Sequence, residues 1–380
     1  MFEKTKKNCD YLLTLGIPGF DLAVFKDGEC VLRYMNGYSD LENKIKMQGN
    51  EKYYIYSCSK PITCTAALQL YEKGLFSLDD KLADYMPEFS EMTIKTENGI
   101  KKAEKPILIK HLFEMSAGFS YNLFTDNIKK CQEETNGKCP TRELMKYLAK
   151  DPLLFEPGER WEYSLCHDVL AAFVEVVSGM PFNDYVTENI FKPLGMNNST
   201  FLVSESEKSS IARLYRFNTE ENKAIYEGKN NVYHLGTEYA SGGAGCVSTV
   251  DDYIKFLEGL RTYKLLKPET ITLMTTNRFG DGVRGNAGWS ENYGYGLGVR
   301  CPNGYEGYTD FGWGGAASAY LAVDIEKGIS IYFGMHLLSS PAQEIRGKVY
   351  EFVCSELFGT FDIDELINKI NITGKYNLTY

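Results

Sequence analysis

Strand-like segments stand at both ends of this chain and helix-like segments fill its middle, an order that few folds can satisfy. Phe20-Asp21-Leu22-Ala23-Val24-Phe25 and Cys30-Val31-Leu32-Arg33-Tyr34-Met35 flank the turn sequence Lys26-Asp27-Gly28-Glu29 and read as a hairpin. Residues 319–323 and 329–333 flank 324–328 as a second hairpin, and a helical stretch follows from about 342 to 357. Between them, residues 59–72, 141–150, 168–177, 182–190 and 251–260 carry apolar side chains at helical spacing. The expected fold is α+β: one antiparallel sheet formed from both chain ends and flanked by helices, with a large, mainly helical insertion. Boundaries are expected near residues 76 and 290. They give a discontinuous sheet domain (1–76 and 290–359), a mainly helical domain (77–289) and a C-terminal extension (360–380).

With 380 residues, 43% of them hydrophobic, the chain can bury a core of that size. A formal net charge of −10 repels phosphate backbones and anionic lipid, so neither nucleic acid nor membrane is expected as a partner. Residues 1–15 are charged throughout, and no run approaches a membrane span, so a cytoplasmic protein is expected. Ten cysteines and four histidines form no C-x-x-C and no Cys/His cluster. No metal and no cofactor are therefore expected, and Cys58, Cys64, Cys166 and Cys246 read as reduced, buried small hydrophobes.

The chemistry starts at Tyr54-Ile55-Tyr56-Ser57-Cys58-Ser59-Lys60-Pro61. This segment leads into the periodic run Ile62, Ala66, Leu70, which ends at Gly74. Ser57 is expected at a helix N-terminus, with Lys60 one turn on along the same face. A serine hydroxyl attacks only when a base takes its proton, and a desolvated lysine amine can serve. The first N–H groups of a helix lack intrahelical partners and can hold a developing oxyanion. S-x-x-K alone arises about once by chance in a chain this long, so a solvated helix start remains the alternative at this point.

With its surroundings the segment resembles a known family: the class C serine β-lactamases, the related penicillin-binding enzymes and the family VIII carboxylesterases. Ordered matches run from about Gly16 to Leu357. They include Gly16-Ile17-Pro18-Gly19, Gly74-Leu75-Phe76-Ser77-Leu78-Asp79-Asp80 and Ile109-Lys110-His111-Leu112-Phe113-Glu114-Met115-Ser116-Ala117-Gly118. Phe155-Glu156-Pro157-Gly158, Asn189-Ile190-Phe191-Lys192-Pro193-Leu194-Gly195-Met196 and Ser241-Gly242-Gly243-Ala244-Gly245 continue the series. The resemblance implies a β-lactamase/transpeptidase-like fold. Trp161-Glu162-Tyr163-Ser164 resembles the family's tyrosine motif, which implies that Tyr163 shares a proton with Lys60 and Ser57, as base in acylation and then as acid toward the leaving group. Phe311-Gly312-Trp313-Gly314-Gly315-Ala316 resembles the third motif, implied to lie on the edge strand lining the site. There Trp313, Gly314 and Gly315 would meet substrate, the glycines allowing close approach to the backbone. The same match makes the Ala316 N–H the second oxyanion donor, beside that of Ser57.

The sequence departs from the β-lactamases at two points. Trp313 stands where they usually carry a lysine that grips a substrate carboxylate, and no asparagine ends the tyrosine motif. Polar contacts worth about 1–3 kcal/mol each are thereby lost, and a neutral indole favours neutral acyl esters. Trp-Gly-Gly and Tyr-Ser-x-x-x-Asp look like the family VIII esterases. A Ser-His-Asp relay through His167 and Asp168 is rejected, because neighbours on a helix point about 100° apart. Asp168 is expected to cap or anchor its helix, and His336 to be structural. The resemblance thus implies a serine hydrolase acting through an acyl-enzyme on small-molecule ester or amide substrates, carboxylesterase-like with weak β-lactam hydrolysis. A D-amino-acid-specific peptidase or an acyltransferase would use the same site, and a non-catalytic binding protein retaining the fold is the alternative of another class.

Overall fold

Alternation along the end strands sorts their side chains into two cores. In a computed structural model, which describes residues 1–228, 230–279, 292–372 and 376–377, eight of the described strands form one antiparallel sheet. They are β1 (Gly19–Lys26), β2 (Glu29–Asp40), β3 (Ile45–Lys46), β4 (Tyr293–Tyr295), β5 (Arg300–Pro302), β6 (Phe311–Gly314), β7 (Tyr320–Asp324) and β8 (Ile329–Gly334). Their spatial order is β4-β5-β6-β7-β8-β1-β2-β3. The chain ends join where β1 pairs with β8, Ala23 opposite Tyr332 and Val24 opposite Ile331. Phe20, Leu22, Val24, Ala322, Ile329 and Ile331 enter one buried cluster, whereas Ala23, Leu321, Val323 and Tyr332 enter another on the opposite face.

Six helices shape the two faces of this sheet and carry much of the site: α1 (Glu3–Thr14), α2 (Ser59–Glu72), α3 (Cys166–Ser178), α4 (Val250–Arg261), α5 (Val349–Phe358) and α6 (Ile363–Asn371). Helices α1, α5 and α6 cover the first face, contributing Cys9, Leu12, Phe352, Val353, Ile363 and Ile370. Helices α2, α3 and α4 belong to the other core, where the Tyr253 ring of α4 stacks on Tyr332 with centroids 4.2 Å apart. Helix α2 is buried nearly all round, from Ser59 to Leu68. It therefore acts as the rod against which the sheet and the inserted helices both pack.

Both expected hairpins form, and the helix expected over 59–72 spans the same residues. The helix expected over 342–357 is broken at Gly347 into Gln343–Arg346 and α5, since glycine is a poor interior helix residue. The helix over 182–190 ends at Val186 and continues as a π turn, Thr187–Phe191. Helix α1 was not expected, nor was the three-stranded sheet of Leu214–Asn218, Lys223–Gly228 and Leu337–Leu338. The boundary expected near residue 290 lies outside the described residues. No helix among the described residues is long and apolar enough to cross a membrane.

Candidate active site

Ser57 lies two residues ahead of the α-helix proper, in a one-turn 3-10 helix, Tyr56–Cys58, that runs into α2 at Ser59. The helix N-terminus expected at Ser57 thus takes the form of a 3-10 turn leading into α2. Tyr56, just before the serine, has a left-handed φ of 47°, a conformation costing a bulky residue about 1–3 kcal/mol. Burial of its ring against Tyr54 and Tyr233 holds it there. Lys60 follows in the first turn of α2, with 0% of its surface exposed.

Two distant stretches of chain meet at Ser57 Oγ. Lys60 Nζ donates to it over 3.2 Å, and Tyr163 Oη donates to it over 2.5 Å. The remaining Lys60 contacts are the Gly243 carbonyl at 2.7 Å and Tyr121 Oη at 3.2 Å. The Lys60 amine also lies 4.5 Å from the centroid of the Tyr163 ring. Tyr121 stacks on Tyr163 with centroids 5.2 Å apart and planes only 6° from parallel. Burial, reinforced by the neighbouring Tyr163 and Asp168, pushes the Tyr121 phenol well above its ordinary range. Sequence reasoning missed Tyr121, one of 27 tyrosines, although it follows the matched Ile109–Gly118 stretch by three residues.

The glycines of Ser241-Gly242-Gly243-Ala244-Gly245 have a steric cause. A Cβ on Gly243 would lie 2.5 Å from Asp168 Oδ2 and 3.4 Å from Lys60 Nζ, and one on Gly242 would lie 2.3 Å from the His167 carbonyl. Asp168 fastens this loop from α3, its Oδ1 accepting from Ser241 Oγ (2.6 Å) and Tyr239 Oη (2.8 Å). It sits at the third position of a helix that starts at Cys166, so it anchors the loop and does not cap the helix. Burial raises its carboxyl pKa against those hydrogen bonds and the Lys60 charge. His167 faces elsewhere: its Nε2 contacts the Phe113 carbonyl (3.2 Å) and Cys64 Sγ (3.5 Å). His336 Nε2 accepts the Tyr54 N–H (3.2 Å) while Nδ1 bonds the Ala212 carbonyl (3.1 Å), a tether three residues before Ser57.

The Phe311–Ala316 segment borders the same place, but β6 is not an edge strand. It pairs with β7 along its length and with β5 through Arg300 and Gly312, so two short strands lie beyond it. Trp313 is 7% exposed and stacks on Tyr163, centroids 6.0 Å apart. Gly314 is the half-buried end of β6. A Cβ on Gly315 would lie 2.5 Å from the Ile55 carbonyl and 3.4 Å from Cys58 Sγ, which sets the turn against the residues flanking Ser57. Ala316 is exposed in that turn and, with Tyr56 and Tyr233, lines a cavity of about 230 Å³. Cys58, Cys64, Cys166 and Cys246 are all buried, which pushes their thiols upward and away from reactive thiolate.

Known proteins share this architecture. Protein Rv1367c of Mycobacterium tuberculosis is 28% identical over 258 residues, and the chain spans only 64% of that relative's length and 64% of its own in the match. Esterase EstB of Burkholderia gladioli is 28% identical over 270 residues, covering 65% of this chain and 67% of EstB. Among solved structures, EstCE1, described as a hydrolase with promiscuous acyltransferase activity, superposes with a TM-score of 0.73 at 24% identity, covering 91% of this chain and 99% of that one. The family model named Beta-lactamase matches residues 7–349, from inside α1 to the start of α5, and on that match the protein belongs to the beta-lactamase family.

Proposed function

We propose that this chain is a serine hydrolase that forms an acyl-enzyme on Ser57 and acts on neutral ester substrates. One observation carries the reading: an amine and a phenol, from Lys60 and Tyr163, both lie within hydrogen-bonding reach of one serine hydroxyl. Lys60 and Tyr163 together take the Ser57 proton as its oxygen attacks the ester carbonyl. The N–H groups of Ser57 and Ala316 hold the oxyanion, and Tyr163 returns a proton to the departing alcohol. Water then repeats the sequence on the acyl-enzyme, with the acid as product. The neutral indole of Trp313 beside Tyr163 supplies no charge for a substrate carboxylate, which favours esters over β-lactams. The esterase name of EstB and the hydrolase description of EstCE1 point the same way. EstCE1's acyltransferase description favours a second reading, release of the acyl group to an alcohol or amine at the same site.

Turnover of p-nitrophenyl butyrate by Ser57→Ala, Lys60→Ala and Tyr163→Phe tests the mechanism. Each variant is expected to lose at least a hundredfold in kcat. A fluorophosphonate probe should add one adduct, on Ser57, by intact mass. Full activity in Ser57→Ala, or labelling at another residue, overturns the proposal. Nitrocefin and D-alanyl peptides in the same assay should be turned over far more slowly than the ester.

A further inference from the structure

Behind the Gly315–Ala316 turn lies a cation with no counter-ion among the described residues. Arg346, the last residue of the helix Gln343–Arg346, sends Nη1 to the Ala319 carbonyl at 3.0 Å and toward the Gly315 carbonyl at 3.4 Å. Ala319 O also accepts the Gly315 N–H (2.8 Å), and Gly315 O accepts the Ser318 N–H (2.9 Å), so the guanidinium seals a turn that is already hydrogen-bonded to itself. A Cβ on Gly314 would lie 3.4 Å from Arg346 Nη2, so the guanidinium packs close against the end of β6. Among the described residues no carboxylate pairs with Arg346, and its Nε is buried without a partner. An unpaired, half-buried charge costs stability, so the fold keeps Arg346 at a loss unless the charge acts on something nearby.

The peptide it touches is the candidate. Gly315 C=O and Ala316 N–H are opposite ends of one peptide dipole, and a cation at the carbonyl end polarises the bond and strengthens the donor at the other end. We infer that Arg346 is a positioning residue for the oxyanion hole, holding and polarising the Gly315–Ala316 peptide so that its N–H binds negative charge developing on the substrate carbonyl. The inference rests on the Ser57 acyl-enzyme reading and adds a residue that never touches substrate.

Arg346→Met, Arg346→Gln and Arg346→Lys separate this role from ordinary packing. With p-nitrophenyl butyrate, kcat in the Met and Gln variants should fall roughly tenfold to a hundredfold with KM within about twofold, because only the transition state carries the charge. Arg346→Lys should recover part of that loss, and Tm should not drop in Arg346→Met, which removes a costly charge. The reporting ligand is phenylboronic acid, which forms an anionic tetrahedral adduct on an active serine. Its affinity should weaken by the same factor as kcat/KM. Unchanged kcat in a folded Met or Gln variant, or unchanged boronate affinity where kcat has fallen, overturns the inference while leaving the Ser57 mechanism intact. Wild-type protein that neither hydrolyses the ester nor binds the boronate overturns both.

Discussion

A methyl group on Gly243 would lie between Asp168 Oδ2 and Lys60 Nζ, where the gaps are 2.5 and 3.4 Å. Gly243→Ala must therefore push the carbonyl that receives the Lys60 amine, and displacements near 1 Å at a reacting group cost about a hundredfold in rate. We expect Gly243→Ala to lower ester kcat by tenfold to a hundredfold; a variant with unaltered kcat and an intact circular dichroism spectrum would deny that carbonyl its orienting role. Tyr121→Phe removes a single 3.2 Å acceptor from Lys60 and leaves the stacking on Tyr163 in place. Its loss should be about tenfold and smaller than that of Tyr163→Phe, the phenol in contact with Ser57. Steady-state kinetics on the two variants side by side decide the ranking.

Helix α6 is the element whose contribution is easiest to isolate. Ile363 and Ile370 pack it into the cluster shared with α1 and α5, and Phe361 just before it lies against Tyr308 with centroids 5.0 Å apart. Residues 361–371 of the C-terminal segment, for which sequence reasoning offered no role, thus cover the sheet face away from Ser57. Ile370→Ala should cost about 2–4 kcal/mol and shift the urea midpoint downward, with kcat of the folded protein unchanged. A fall in kcat at full folding would connect α6 to the site. Legibility in the chain divides along physical lines. The hairpins could be read because residues 20–24 and 329–333 alternate between two buried faces, and α2 because its spacing and flanking Pro61 and Gly74 agree. Helix α1 was hidden by its lysines, although buried Thr5, Asn8, Cys9 and Leu12 mark one face at helical spacing. Strands β4 and β5, which strip β6 of its edge, are three residues each and too short to carry a period. Within the site, Ser57, Lys60 and Tyr163 stand in motifs, whereas Tyr121 and Arg346 act through geometry that only the folded chain creates.

On the scale of the whole molecule, acid should act through the histidines. Burial lowers His111 and His336 to about 4 and His167 to about 3, each below the ordinary value near 6.5 of an unfolded chain. Between those limits the unfolded state binds more protons, so the stability these groups contribute is complete above about pH 6.5 and is lost as pH falls through 4. Glu114 and Asp21, both raised to about 7 by burial, oppose this in the same window. A difference measurement is therefore the clean one. The stability gap between wild type and His336→Gln in urea should shrink by about 2 kcal/mol from pH 7 to pH 4.5. A gap independent of pH would mean that folding does not shift the His336 pKa, and would overturn the burial argument.

The pairing of β1 with β8 has a consequence in time as well as in space. Roughly 300 residues separate the two strands, so on the ribosome the first hairpin leaves the exit tunnel long before its partner has been translated. Until then Phe20, Leu22 and Val24 have β2 on one side and at most α1 above them, but neither β8 nor the covering helices α5 and α6, and a nascent chain would expose an apolar ribbon that invites chaperones or aggregation. Moving the start of the chain to the inserted region, with the old ends fused by a short linker, would let the two hairpins emerge together, and such a permutant should refold faster than the parent from the same urea-unfolded state.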